Sequence, residues 1–296
     1  MLMLIDSAGL WYRAYYALPS SIKAPDGRRA GAVRGFLDAL ATLVREYSPE
    51  RLVCCLEGNW RPEWRVELVD SYKTDRTAEG GAEDTPEGLD DQVEAVEQIL
   101  AAWGMPTATH PRYEADDVIA TLAARSEEET AVVTGDRDLF QLVDDGRKTS
   151  VVYLLRGISQ AKRFRAADVE EKFGVRPSRY ADFAVLRGDS SDGLPGVKGI
   201  GDKTAAALVE RYPSLEAIVE AAGKDELKGR QNANVLAAAD YLPRAAEVTR
   251  CVRDVDVPDL HAAVPAVPKD EAEVDRLAAV WGQQGAVGRL KEALQS

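Results

Sequence analysis

Acidic residues recur where a fold would gather them. Asp6, Glu57 and Asp136 each close a short apolar run, Glu114, Asp116 and Asp117 open a segment with helical spacing, and Asp138 follows Asp136 by two. In open parallel sheets the crevice at the strand carboxyl ends binds ligands. So many like charges cannot stay close and ionised without a cation. Ligands that are all oxygen, without Cys or His, point to Mg²⁺ or Mn²⁺. Two such ions roughly 4 Å apart would supply an activated water and stabilise the leaving oxygen of a phosphodiester. Taken singly, each piece has an ordinary explanation: Asp6 caps a turn, Glu114 to Asp117 is an acidic helix start, and Asp136 with Asp138 is a turn. The coincidence of three strand ends and one helix start favours a metal site.

A second signal is the string Gly188-Asp189-Ser190-Ser191-Asp192-Gly193-Leu194-Pro195-Gly196-Val197-Lys198-Gly199-Ile200-Gly201-Asp202-Lys203-Thr204-Ala205. Its glycines permit tight turns and close backbone approach. The Gly199-Ile200-Gly201 turn precedes a helix that opens near Thr204, so its N–H groups can meet a phosphate, and Lys198 and Lys203 add charge. Such an element reads the DNA backbone, not bases. The plain alternative is a glycine-rich loop with no partner.

These residues need a frame. The 296 residues are 45% hydrophobic, 29% charged and 7% aromatic, the composition of a soluble globular protein with room for two joined domains. No apolar run reaches the roughly 18 residues of a membrane span, and the N-terminus has no basic leader or cleavage pattern, so the expected location is cytoplasmic, nucleoid-associated through DNA, with no membrane partner. Three cysteines make neither a disulfide framework nor a zinc site, and Cys54 and Cys55 belong in a buried strand. The net charge of −13 opposes nucleic acid binding in sum but not in distribution. Arg61, Arg65, Lys73 and Arg76 cluster, as do Lys162, Arg163 and Arg165, while acid collects around 83–91, 127–129 and 254–273.

The first half alternates strands with helices: strands at 1–5, 51–56, near 107, 130–134 and 150–155, and helices at 32–47, 89–103 and 114–124. Helices at 166–173, 177–187, 204–212 and 233–250 follow, the last broken or kinked at Pro243. A Pro-rich stretch, 257–269, crosses the surface before a final helical segment at 275–294. The fold class is α/β, a central mostly parallel sheet flanked by helices. Residues 1–165 form the α/β domain with the acidic site, and 166–296 a helical DNA-binding region that includes the C-terminal helices.

At Leu4-Ile5-Asp6, Tyr12-Arg13-Ala14-Tyr15, Trp64-Arg65, Tyr72-Lys73 with Arg76, Tyr113-Glu114-Ala115-Asp116-Asp117, Thr134-Gly135-Asp136-Arg137-Asp138-Leu139 and Gly188 to Ala205, the chain resembles the stand-alone bacterial 5′-flap endonucleases and the 5′-nuclease domain of DNA polymerase I. The resemblance covers nearly the whole chain. It implies a PIN-like 5′-nuclease fold with a helix-three-turn-helix at 188–212, acting as a 5′-flap endonuclease and 5′-3′ exonuclease in DNA replication and repair. It implies that Asp6, Glu57, Glu114, Asp116, Asp117, Asp136, Asp138, Asp189 and Asp192 surround Mg²⁺ or Mn²⁺. Lys73 and Arg76 would hold the scissile phosphate, Tyr72 would stack on the displaced 5′ nucleotide, and Arg13 would contact DNA nearby. Backbone carbonyls of Val197 and Ile200 would hold a K⁺ ion, and Lys198, Gly199, Gly201, Lys203 and Thr204 would meet the duplex. The partner is DNA with 5′ flaps, nicks or ends, bound by a monomer.

Two departures stand out. Family members carry Asp where this chain has Glu57. The segment 77–91, a helical arch in relatives, is here acidic and contains Gly80-Gly81, so it is expected to be unordered without DNA. A PIN-type ribonuclease is the rival enzyme reading. A branched-DNA-binding protein whose cleavage is impaired by Glu57 is the rival from another class.

Overall fold

The computed structural model describes residues 1–78, 81–155, 157–258 and 263–295. Six strands, β1 (Leu2–Asp6), β2 (Arg51–Cys55), β3 (Thr107–Ala108), β4 (Thr130–Thr134), β5 (Thr149–Leu154) and β6 (Ala161–Phe164), form one sheet in the order β3-β2-β1-β4-β5-β6. All neighbours run parallel except β6, which pairs antiparallel with β5 at the edge. The strand order reverses at β1, between β2 and β4, and an open sheet binds ligands at such a point.

The strands read as continuous apolar runs because both faces are covered. Leu2, Leu4, Val53, Cys55, Val132 and Val151 face one core, while Met3, Ile5, Leu52, Cys54, Val133 and Val152 face the other. Cys54 and Cys55 are both fully buried in β2, as the sequence implied.

On the second face lie α1 (Ser7–Ala17), α2 (Gly31–Tyr47) and α4 (Leu89–Trp103). Between them in sequence, α3 (Glu63–Leu68) is a short helix that packs on α11. The first face carries α5 (Ala115–Arg125), α6 (Ala166–Phe173), α7 (Tyr180–Arg187), α8 (Asp202–Arg211), α9 (Leu215–Gly223), α10 (Gln231–Ala237) and α11 (Tyr241–Thr249). The chain then crosses back. Lys269 and Asp270 donate their backbone N–H groups to Trp103 and Ala102 at the end of α4. From there α12 (Glu271–Trp281) and α13 (Gln284–Gln295) pack on α4 and α2. The two C-terminal helices therefore belong to the sheet's second layer and not to the DNA-binding region expected to contain them. Val274, Leu277, Trp281 and Leu290 are buried there.

Other expectations shift in detail. The single segment 275–294 is two helices, parted at Gly282, whose φ of +65° suits glycine. The 233–250 segment is broken at 238–240, and Pro243 falls in the first turn of α11, where no intrahelical N–H is needed. The expected unordered segment 77–91 overruns the start of α4. Before it, Thr77 bridges Glu83, with Ala78 N–H on Ala82 and Asp84 N–H on Arg76. Residues 79 and 80 of that segment, and 259–262 of the Pro-rich stretch, lie outside the described residues. Helices α1, α3 and α9 and strand β6 were not anticipated.

Candidate active site

α1 starts directly after β1, which turns the Asp6 carboxylate back over the helix start to accept the Gly9 N–H at 2.8 Å. A Cβ on Gly9 would lie 2.4 Å from Asp6 Oδ2, so a side chain there would push the Asp6 carboxylate out of place. A relay of hydrogen bonds ties this end of β1 to the end of β4. The Asp138 N–H donates to Asp136 (2.8 Å), the Asp136 N–H to the Thr134 hydroxyl (2.9 Å), and that hydroxyl to Asp6 Oδ2 (2.7 Å). Arg13, nearly two turns into α1, donates to the Gly135 carbonyl at 3.1 Å. Any side chain at Gly135 would strike that guanidinium.

Glu57 follows β2 and accepts the N–H of Ala115, the first residue of α5, at 3.2 Å. Glu114 caps α5 and is the hub of a buried ion network: it receives Lys73 Nζ, Arg65 (2.9 Å) and the Tyr72 hydroxyl (2.7 Å). Asp117 shares Arg65 with Glu114, held by two nitrogens of that guanidinium at 2.7 and 2.8 Å and by the Val252 N–H at 2.8 Å.

From the helical region, the turn after α7 brings Asp192 up to Arg76 (2.7 Å), and the Asp192 carbonyl accepts the Lys73 N–H. Gly193 fits against Ser71 so closely that a Cβ would lie 1.9 Å from the Ser71 carbonyl oxygen. Asp189 caps its own turn, accepting from Ser191, with Arg187 beside it at 3.3 Å. Asp6, Glu57, Glu114, Asp116 and Asp136 line one pocket of about 820 Å³ at the strand ends, with Arg13, Lys73 and Arg76 in its wall. Asp116 also lines an adjoining smaller cavity with Asp138 and Asp192.

The electrostatics follow from this crowding. Burial pushes the Asp116 and Asp138 carboxyls well up, each further raised by Asp136, and it raises Asp6 against the Gly9 and Thr134 hydrogen bonds. Burial and then Glu114 push Glu57 up to about 8. Burial likewise takes Asp192 to about 6, with Lys73 and Arg76 opposing. Burial would also raise Glu114, but Lys73 and Arg65 hold it below the usual carboxylate range.

Do the residues fit divalent cations? The donor set is all oxygen, and Asp138 Oδ1 is buried with no hydrogen-bond partner. Among the described residues no three side chains already converge on one point where an ion would sit. Asp6, Glu57, Glu114, Asp136, Asp189 and Asp192 instead each hold a nearby N–H, O–H or cation. The set fits cations that draw these side chains inward, with carboxylates exchanging those local donors for metal.

Two expectations are corrected by these contacts. Asp117 is fully buried on Arg65 and does not line either cavity as a pocket acid. Tyr72 is 4% exposed and packs with Val69, Leu194 and Val248. The basic clusters also divide. Arg65 and Lys73 are buried, Lys162 pairs with Asp168, and Arg163 and Arg165 pair with Glu129. Sequence reading missed Thr134 as the link between two acids and Arg65 as the partner of Asp117, although both stood inside the motifs it singled out.

Across the turn between α7 and α8, Gly188, Gly193, Gly196 and Gly199 all have positive φ. Lys198, Gly199, Gly201 and Lys203 are exposed and Thr204 is partly so, at the open N-terminus of α8. The Val197 carbonyl accepts the Ile200 N–H at 3.0 Å, and Asn234 donates to the Lys198 carbonyl at 2.8 Å. Val197 and Ile200 anchor the turn in the core.

Known proteins share both sequence and fold. Residues 1–174 match the 5′-3′ exonuclease N-terminal resolvase-like domain, and 175–271 match the 5′-3′ exonuclease C-terminal SAM fold. The chain is 46% identical to a 5′-3′ exonuclease of Streptomyces coelicolor, covering 99% of each. It is 37% identical to DNA polymerase I of Mycobacterium bovis, over 93% of this chain and 30% of that one. The bacteriophage T5 D15 flap endonuclease, solved as a pseudo-enzyme-product complex with DNA and metal ions, superposes with a TM-score of 0.64 at 20% identity, covering 99% and 98% of the two chains. With both of its halves matched in order, the chain belongs to the 5′-3′ exonuclease family.

Proposed function

We propose that the protein hydrolyses DNA phosphodiesters at 5′ flaps, nicks and ends, in replication and repair, with Mg²⁺ or Mn²⁺ held by the pocket carboxylates. The observation that carries this reading is the gathering of Asp6, Glu57, Asp116 and Asp136 at the strand carboxyl ends, with Asp138 half-buried nearby and its Oδ1 buried and unpaired. Two divalent cations, when bound, would supply the charge that activates water and stabilises the leaving oxygen. Asp6, Glu57, Asp116, Asp136, Asp138 and Asp192 are the residues that would hold them, with Glu114 and Asp189 bracing from outside.

The chain's own cations do the rest. Lys73 neutralises the resting acids through Glu114, and Arg76 sits at the mouth on Asp192. Both are placed to take the scissile phosphate once the carboxylates turn inward, and Arg13 to take a neighbouring one. Lys198, Lys203 and the N–H groups of the α8 N-terminus grip the duplex backbone, with a K⁺ ion on the Val197 and Ile200 carbonyls. The α/β unit of 1–165 holds the chemistry and the helical region to α11 holds the duplex. The protein acts as a monomer in the cytoplasm; no helix among the described residues is long and apolar enough to cross a membrane. End-labelled flap, nicked and single-stranded DNA incubated with each metal tests this reading: flap cleavage releasing the 5′ strand supports it, and selective cutting of matched RNA flaps replaces it with a ribonuclease.

A further inference from the structure

Tyr16 is the most exposed large hydrophobic side chain among the described residues, at 71%. It lines the active-site pocket from α1, on the same helical face as Gly9, Tyr12 and Arg13. Its ring meets Tyr15 edge-on, with centroids 5.4 Å apart and planes at 83°. Tyr15 is itself fixed: its hydroxyl donates to the Glu87 carbonyl at 3.0 Å, and Arg29 lies over its ring at 3.9 Å. Tyr16 therefore stands against a fixed neighbour, with most of its side chain open to solvent. Because this ring lines a pocket, it offers a surface on which a planar, apolar group can stack.

The pocket wall narrows the choice. Glu83, Asp90 and Glu97 line the same rim, and this acidic wall repels phosphates. Away from Arg13, Lys73 and Arg76, a strand passing these acids gains little from charge and is held instead through its bases. Base stacking on an aromatic ring is indifferent to sequence and to those acids. Tyr72, which family likeness puts forward for stacking, is buried here, with its hydroxyl donating to Glu114.

We propose that Tyr16 is the stacking platform for an unpaired base of the 5′ strand as it enters the pocket. The inference rests on the chain being a nuclease that takes such a strand. Ten residues of helix separate Tyr16 from Asp6, about 15 Å. That is no more than about four stacked nucleotides at 3.4 Å each, so the contacted base lies within the first few unpaired positions.

The test is the affinity, in EDTA, of flap DNA carrying either natural bases or one abasic site stepped through the first four unpaired positions, for wild type, Tyr16→Ala and Tyr16→Phe. Tyr16→Ala is expected to weaken the natural flap about tenfold, the lower end of base–aromatic stacking. One abasic position should cost wild type the same, and the two changes together no more than either alone. Tyr16→Phe should bind as wild type. Equal binding of the natural flap by Tyr16→Ala and wild type, or additive losses at every position, overturns the proposal. If wild type with Mg²⁺ or Mn²⁺ cleaves none of flap, nicked and single-stranded DNA, the nuclease reading itself fails first, and the platform falls with it.

Discussion

Arg65 forks onto Asp117 at 2.7 and 2.8 Å, both side chains buried, while Asp116, the next residue back, points into the acidic pocket. Adjacent carboxylates on one helix start thus have opposite tasks. Removing one partner of a buried pair strands the other charge, at a cost of about 3–5 kcal/mol. Arg65 keeps Glu114 at 2.9 Å, so Asp117→Asn is expected to lower unfolding free energy by less than that, about 1–3 kcal/mol for the charge-assisted hydrogen bonds weakened. Asp116→Asn should instead raise metal-free stability, because burial and Asp136 disfavour its charge, and should abolish cleavage. Urea denaturation in EDTA beside a flap-cleavage assay checks both; equal destabilisation by the two variants contradicts the division.

The pocket acids make stability depend on pH in a direction opposite to that of a salt-bridged carboxylate. Burial and Glu114 raise Glu57 to about 8, and burial raises Asp192 to about 6, while the unfolded chain keeps both near the ordinary range, about 4. Between those values the folded form binds more protons, so metal-free stability falls as pH rises from about 6 to 8.5. Mg²⁺ binds the ionised form and should restore the loss while releasing protons. Thermal unfolding at the two pH values, in EDTA and in Mg²⁺, should show a gap that closes with metal. A metal-free protein more stable at pH 8.5 than at 6 rejects this.

At the turn before α8, Lys198→Ala with Lys203→Ala should weaken duplex binding and reduce the salt slope by about 2, one phosphate contact for each lysine. Binding isotherms from 50 to 200 mM salt read the slope directly. An unaltered slope places the duplex elsewhere.

Glu57 reaches across to the Ala115 N–H with one more methylene than the aspartate that the family resemblance leads one to expect. Displacing a reacting group by about 1 Å can cost on the order of 10²-fold in rate. Glu57→Asp is accordingly expected to raise Mg²⁺-dependent cleavage, and Mn²⁺ to narrow the difference. Single-turnover rates in each metal decide it, and equal or lower Mg²⁺ rates for the variant mean that the pocket has adapted to the longer side chain.

The parts of this arrangement visible in sequence were those with a strong local signal. β1, β2 and β4 read as apolar runs ending in acids, and α4 announced its end at Gly104, which takes a φ of +77°. α1 was missed because its aromatic-rich stretch, Leu10 to Tyr15, shows no clear apolar period, and β6 because four residues at a sheet edge carry little pattern. The placement of α12 and α13 depends on where the chain crosses after α11, which no local signal encodes. The same holds within the site. The acids were legible by type, but that Asp117 serves Arg65 and Tyr72 serves Glu114 follows from packing of α3 and its following turn against α5 and α11.

The most direct measurement is cleavage of a 5′-end-labelled flap across a Mg²⁺ and Mn²⁺ titration, by wild type and by Asp136→Asn and Asp138→Asn, with flap binding measured in parallel. The expected result is release of the labelled 5′ strand by wild type only when a divalent ion is present, and no release by either variant, although both bind the flap. Cleavage that persists in EDTA, or near-wild-type rates from both variants, would contradict a metal-dependent nuclease centred on these carboxylates.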